Sequence, residues 1–114
     1  MKCNENEKKK GLEPARAVTA AGLVDVASGG VVSRELARTA GGTVTVFAFD
    51  EGEGLSEHTA PFDAIVHVLT GKLELTIGGE KVETATGQVV LMPADIPHAL
   101  HAPEAAKMML IMLR

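Results

Sequence analysis

The sequence predicts an all-β fold, a sandwich or barrel of about eight short strands. Three observations predict it. Runs of apolar and β-branched residues recur at spacings of about eight to twelve residues, the rhythm of strands joined by tight turns. Gly or Pro punctuates them at Gly41-Gly42, Gly71, Gly78-Gly79, Gly87 and Pro93. After Val24, no segment carries the 3.6-residue repeat of an amphipathic helix.

Residues 1 to about 14 are polar and charged, without apolar periodicity, and are expected to form a disordered or surface-pinned tail ahead of one domain over 15–114. Deleting residues 1–12 is expected to leave the melting temperature nearly unchanged. Thr19 is placed to cap a single helical turn over Ala20 to Val24, which Gly22 keeps short. Strands follow at Val31 to Arg38 and Thr43 to Phe49, the second rich in β-branched and aromatic residues. The stretch from Asp50 to Glu57 is acidic and Gly-bearing and reads as a loop. Further strands are expected at about Asp63 to Leu69, Lys72 to Ile77, Lys81 to Ala85, Val89 to Met92, His98 to His101 and Lys107 to Leu113. Several are apolar on both faces, because Ile65 and Leu69 alternate with Val66 and Val68, and Met108, Leu110 and Met112 with Met109, Ile111 and Leu113. A barrel interior takes one such set. The other needs a second sheet, a covering segment or another subunit, and a homodimer is expected to supply it.

Composition excludes several function classes. The net charge is −4, yet residues 1–16 hold five cations against three anions, so the rest of the chain carries −6. That argues against nucleic acid, whose phosphates are met by clustered Lys and Arg. No apolar run approaches the ~20 residues of a membrane-spanning helix, and the charged start lacks the apolar core of a signal peptide. A cytoplasmic protein without a membrane partner is expected. The one cysteine, Cys3, closes no internal disulfide and reads as incidental.

Two stretches carry the chemistry. The first has Gly52, five residues, His58, and at its far end Gly71; the second has Gly87, five residues, Pro93, then His98. This spacing resembles the two motifs of the cupin family, over about Phe47 to Ala102. The resemblance implies a double-stranded β-helix, or jelly-roll barrel, whose interior pocket holds a divalent metal through His-x-His and Glu of the first motif and His of the second. Most of that set is missing. Ala60 stands at the second His position, Ala64 at the Glu position, Asp95 at the last glycine and Ala102 at the asparagine of the second motif. The ligand role therefore carries over only to His58 and His98, an incomplete site. The metal implied is Zn, Fe, Mn, Ni or Cu, held weakly or substoichiometrically.

If the strands alternate without a bulge at Pro61, His58, Ala60 and Ala64 share one face and Asp63 and His67 the other; His98 and Ala102 share a face that His101 opposes. The expected pocket residues are His58, Ala60, Ala64, Val66, His98 and Ala102. Glu57 and Asp63 read as rim carboxylates that substitute as ligands only if the register slips, His67 as an interface or hydrogen-bonded residue, His101 as surface, and Met108-Met109 as core filler. His58 and His98 also admit a plain structural reading, as hydrogen-bonded or packed histidines at the barrel mouth.

Three functions stand open: a barrel binding a small molecule, with or without a weakly held metal; a metal-dependent enzyme of dioxygenase or isomerase type; and an interaction module whose pocket is filled by side chains. There is no Lys or Arg between Thr39 and Gly71 or between Val82 and Ala106, so only Arg34 and Arg38 are placed to clamp an anion. Phe47, Phe49 and Phe62 are the only aromatic side chains besides histidine. A small neutral or apolar ligand suits these segments better than a nucleotide.

Overall fold

The computed structural model describes residues 11–114. A 3-10 turn over Ala20–Leu23 precedes nine strands: β1 (Val31–Thr39), β2 (Gly42–Phe49), β3 (Gly54–His58), β4 (Asp63–Thr70), β5 (Lys72–Ile77), β6 (Glu80–Ala85), β7 (Val89–Met92), β8 (His98–His101) and β9 (Ala106–Leu113). The eight expected strands are present with ends within one residue. β3 is additional, and lies in the stretch that composition marks as a loop. Its five residues offer little strand propensity, and the pairing comes from β8, with Gly54 opposite His101, Leu55 opposite Leu100 and His58 opposite His98. Thr19 occupies the N-cap position of the turn, but its side chain makes no capping hydrogen bond, and the turn ends at Leu23. Val24 is extended and buried, so tertiary packing and not a cap sets the end of this segment.

The strands pair antiparallel in two sheets, ordered β1-β2-β9-β4-β7 and β3-β8-β5-β6. Together they form a double-stranded β-helix. Alternation along each strand sends one set of side chains inward: Ala64, Val66 and Val68 of β4, Leu73 and Leu75 of β5, with Phe49, Met92, Leu100, Ala102, Ala106 and Met108. Each fully buried Leu or Val of this set contributes roughly 1.5–3 kcal/mol of transfer free energy.

The alternate set makes a second, smaller core on the outer face of the five-stranded sheet. Val46 and Ala48 of β2 and Leu36 of β1 are closed over by Val24, with Leu23 and Met109 packed alongside. Lys107 donates from Nζ to the Ala21 carbonyl at 2.7 Å, and Arg34 donates from Nη1 to the Leu23 carbonyl at 3.2 Å, fastening this cover. Arg34 therefore faces outward, away from the barrel. Arg38 pairs with Glu35 at 2.7 Å on the exposed surface. Of the tail, residues 1–10 lie outside the described residues; Leu12 donates its N–H to the Leu36 carbonyl at 3.1 Å. Farther along the same face, cross-strand neighbours Ile65, Leu91 and Ile111 are left beside Val89 and Leu113, and Val89 is 62% and Leu91 54% exposed. Among the described residues no helix is long and apolar enough to cross a membrane.

Asp50 joins the end of β2 to the turn before β1. Its carboxylate accepts from the Gly29 N–H at 2.7 Å and from the Glu51 N–H at 2.9 Å. The Gly29 bond, then the Glu51 bond, hold its pKa below the ordinary 3.8. A depressed carboxylate pKa stabilises the fold above the unfolded value, and this is lost as pH falls through the folded value. Asp50→Asn is expected to lower the melting temperature at pH 7, with the gap to wild type closing below pH 3.8. A gap unchanged in acid would assign the loss to something other than the charge.

Candidate functional site

β3 and β8 bring His58 and His98 together at one end of the barrel. The register of their pairing shifts between Leu55 and His58, a bulge that brings both side chains, three residues apart, to the cavity side, with His58 itself exposed at the mouth. Regular alternation from Leu55 would instead have sent Glu57 inward. The imidazoles meet edge to face with centroids 4.4 Å apart, and their Nε2 atoms stand 3.1 Å from each other.

The second nitrogen of each ring is also committed. His58 Nδ1 lies 2.8 Å from the Ser56 carbonyl oxygen, and His98 Nδ1 lies 3.2 Å from that of Ile96. A carbonyl only accepts, so each Nδ1 carries the ring proton, an assignment that follows from the partner. With both rings neutral, two bare Nε2 lone pairs then face one another, an arrangement that attracts a proton or a cation between them. Burial holds His98 below its usual histidine pKa; the Ile96 carbonyl opposes this, and the charge of His58 adds to it. The neutral form of His98 is thereby favoured.

The cavity in front of the pair has a volume of about 100 Å³ and is lined by His58, Ala60, Ala64 and His98, by Leu55, Leu100 and Leu110, and by Met92, Met108 and Met112. At ~30 Å³ per water molecule it holds about three, far below the ~300 Å³ of ordinary ligand pockets. Of the expected pocket residues, His58, Ala60, Ala64 and His98 line it. Val66 and Ala102 lie in the packed core and do not reach this lining. Met108 and Met109, expected as core filler, do pack in the two cores, and Met108 also lines the cavity together with Met92 and Met112, which the sequence did not single out.

The remaining candidates point elsewhere. His67 sits on the outer face between Ile65 and Leu69, and His101 is exposed at the end of β8. Asp63 accepts from the Ala94 N–H at 2.8 Å on the rim, and Glu57 is exposed. Among the described residues no three His, Cys, Asp or Glu side chains gather as a metal cluster. A larger groove, about 740 Å³, opens between Leu23–Asp25 and β1 on the outer face. Its arginines donate to backbone carbonyls and to Glu35, with Arg34 Nε left buried without a partner, whereas in the smaller cavity each imidazole Nε2 has the other as its neighbour.

The corner between β7 and β8 explains the departure at Asp95. Its φ is +65°, and its N–H donates to the Ala60 carbonyl at 2.8 Å, pinning the cavity rim. Glycine adopts this conformation without penalty and Asp tolerates it, whereas a β-branched residue does not. Asp95→Val is expected to cost about 1–2 kcal/mol, and Asp95→Gly to be nearly neutral, by chemical denaturation. Equal losses would place the constraint in the carboxylate.

Residues 45–114 match the family model described as Cupin domain. A conserved protein of unknown function from Streptococcus pyogenes has a similar crystal structure, with TM-score 0.85 at 37% identity, over 90% of this chain and 90% of that one. A cupin superfamily protein from Desulfitobacterium hafniense gives 0.85 at 28% identity, over 91% and 95% of the two chains. An uncharacterized Streptomyces coelicolor protein is 32% identical over 59 residues, so the chain spans about half the length of that curated relative, 56%. Since the family model covers well over half of the residues, from β2 through β9, and carries both histidine-bearing segments, the chain belongs to the cupin domain family.

Proposed function

We propose that this protein is a small binding barrel whose site is the His58–His98 pair, taking a transition-metal ion on the two Nε2 atoms with room beside it for a few water molecules or a ligand of similar size. The observation that carries this reading is the commitment of both Nδ1 atoms to backbone carbonyls, which leaves both Nε2 lone pairs converging at 3.1 Å. Ligating histidines are oriented in this way by carbonyl partners. The spacing also suits two neighbouring ligands each about 2.0–2.1 Å from one ion. Two histidines are fewer than the four ligands of a structural zinc site or the three of a catalytic one, so the ion is held weakly. Competition titration with Zn(II) is expected to give weak one-to-one binding that His98→Ala abolishes. Binding unaffected by His98→Ala would overturn the reading. A firmly held, stoichiometric metal in untreated protein would favour the metal-dependent enzyme instead.

A second copy of the chain is the proposed cover for the outer apolar patch of Ile65, Val89, Leu91, Ile111 and Leu113, which continues the face that Val24 closes at its other end. Light scattering at tens of micromolar is expected to give twice the monomer mass, and Leu91→Glu the monomer. A wild-type monomer would sink this assignment.

A further inference from the structure

We propose that the ion held at His58 and His98 is Cu(I), and that the thioether sulfurs of Met92 and Met112 complete its coordination. This rests on the reading of the histidine pair as a metal site and names the ion that the site selects.

Ala64 of β4 lies directly opposite Met92 of β7 on one side and directly opposite Met112 of β9 on the other. Directly opposed residues project to the same face with Cβ atoms about 4.5–5.5 Å apart, so the two thioethers flank the small side chain of Ala64 inside the barrel. Both line the same cavity as the two imidazoles. On the facing sheet His58, His98 and Ile77 form the corresponding row through β3, β8 and β5. The cavity thus lies between a row bearing two imidazole nitrogens and a row bearing two sulfurs.

The donor set is neutral and soft. Neither a carboxylate nor a thiolate lines the cavity. Carboxylate and water oxygens suit Mn and Mg, whereas thioether and imidazole together suit Cu(I), which also accepts few ligands. Charge works in the same direction. An ion held against Leu55, Leu100, Leu110 and the methionines, with His58 exposed at the mouth, loses part of its hydration without gaining a counter-charge, a cost that grows as the square of the charge, so a monovalent ion carries about a quarter of the cost of a divalent one. Methionine has three rotatable bonds and a polarisable sulfur, so it can turn toward an ion without moving the strand.

The test is anaerobic titration of the full chain with Cu(I) against a chromophoric Cu(I) chelator, with Zn(II) titration in parallel and X-ray absorption on the copper-loaded protein. The variants are Met92→Leu, Met112→Leu and the pair, swaps that nearly conserve volume and retain the fold. Wild type is expected to bind one Cu(I) with sulfur in its first shell. The double variant is expected to lose that sulfur signal and at least tenfold of its Cu(I) affinity, while Zn(II) affinity changes less than twofold. Cu(I) bound through nitrogen alone, with affinity untouched by the leucines, overturns the sulfur assignment and leaves the histidine site standing. Failure to bind either Cu(I) or Zn(II) overturns both.

Discussion

Gly71→Ala is expected to cost at least about 3 kcal/mol and to lower the melting temperature by more than ~10 °C, read by far-UV circular dichroism. Gly71 turns β4 into β5 at φ +72°, where an L side chain costs roughly 1–2 kcal/mol. Crowding adds to this. A Cβ there would run into the Ala105 carbonyl oxygen and come within 3.0 Å of the Cα and Cβ of Ala106, none of them the end of a flexible side chain. The turn has little freedom to retreat, because Thr86 donates from Oγ1 to the Gly71 carbonyl at 2.7 Å. Gly79→Ala is the control: φ is +86° with nothing within 4 Å of the added Cβ, so only the backbone term applies. Equal losses at the two glycines would remove the steric half of the argument.

Ala60→His is expected to raise Zn(II) affinity at least about 100-fold, since even an outer partner of a ligand is worth 10–100-fold in metal binding. Ala60 lines the cavity with both histidines, and its carbonyl accepts the Asp95 N–H, so the new imidazole would start from a fixed backbone. Free metal at the wild-type dissociation constant would then stand about 100-fold above that of the variant, worth about 2.7 kcal/mol of added thermal stability. Unchanged affinity in competition titration would show that a side chain at position 60 does not reach the ion.

The fold was legible because its strands announce themselves locally. Val44, Val46 and Ala48 alternate with Thr45, Phe47 and Phe49, and every run but that of β9 is followed within three residues by Gly or Pro. β3 was not, because Gly54, Ser56, Glu57 and His58 leave Leu55 as its sole apolar residue, and its hydrogen bonds are supplied by a strand whose paired residues lie 40 or more positions away. Motif spacing reached the histidine pair. Strict strand alternation does not run through Pro61, since β3 ends at His58 and its bulge is what aligns Leu55 with His58. Two further features of the site depend on tertiary placement: the carbonyls of Ser56 and Ile96 that fix the tautomers, and the flanking of Ala64 by Met92 and Met112. The second follows from register between β4, β7 and β9, which no single stretch of sequence displays. The facing of Arg34 was likewise decided by Gly11 and Leu23, to whose carbonyls it donates.

The central place of β9 has a kinetic consequence. It lies between β2 and β4, so that Met112 faces Thr43 on one side and Ala64 on the other. During synthesis the five-stranded sheet cannot close until residues 106–113 have left the ribosome, and β1-β2 must wait as an isolated hairpin, marginal in water. Pairing across such sequence separations places folding in the range of milliseconds to seconds. The cavity wall that Met112 supplies forms only when β9 docks, so a nascent chain that already carries His58 and His98 has no enclosed site before that pairing.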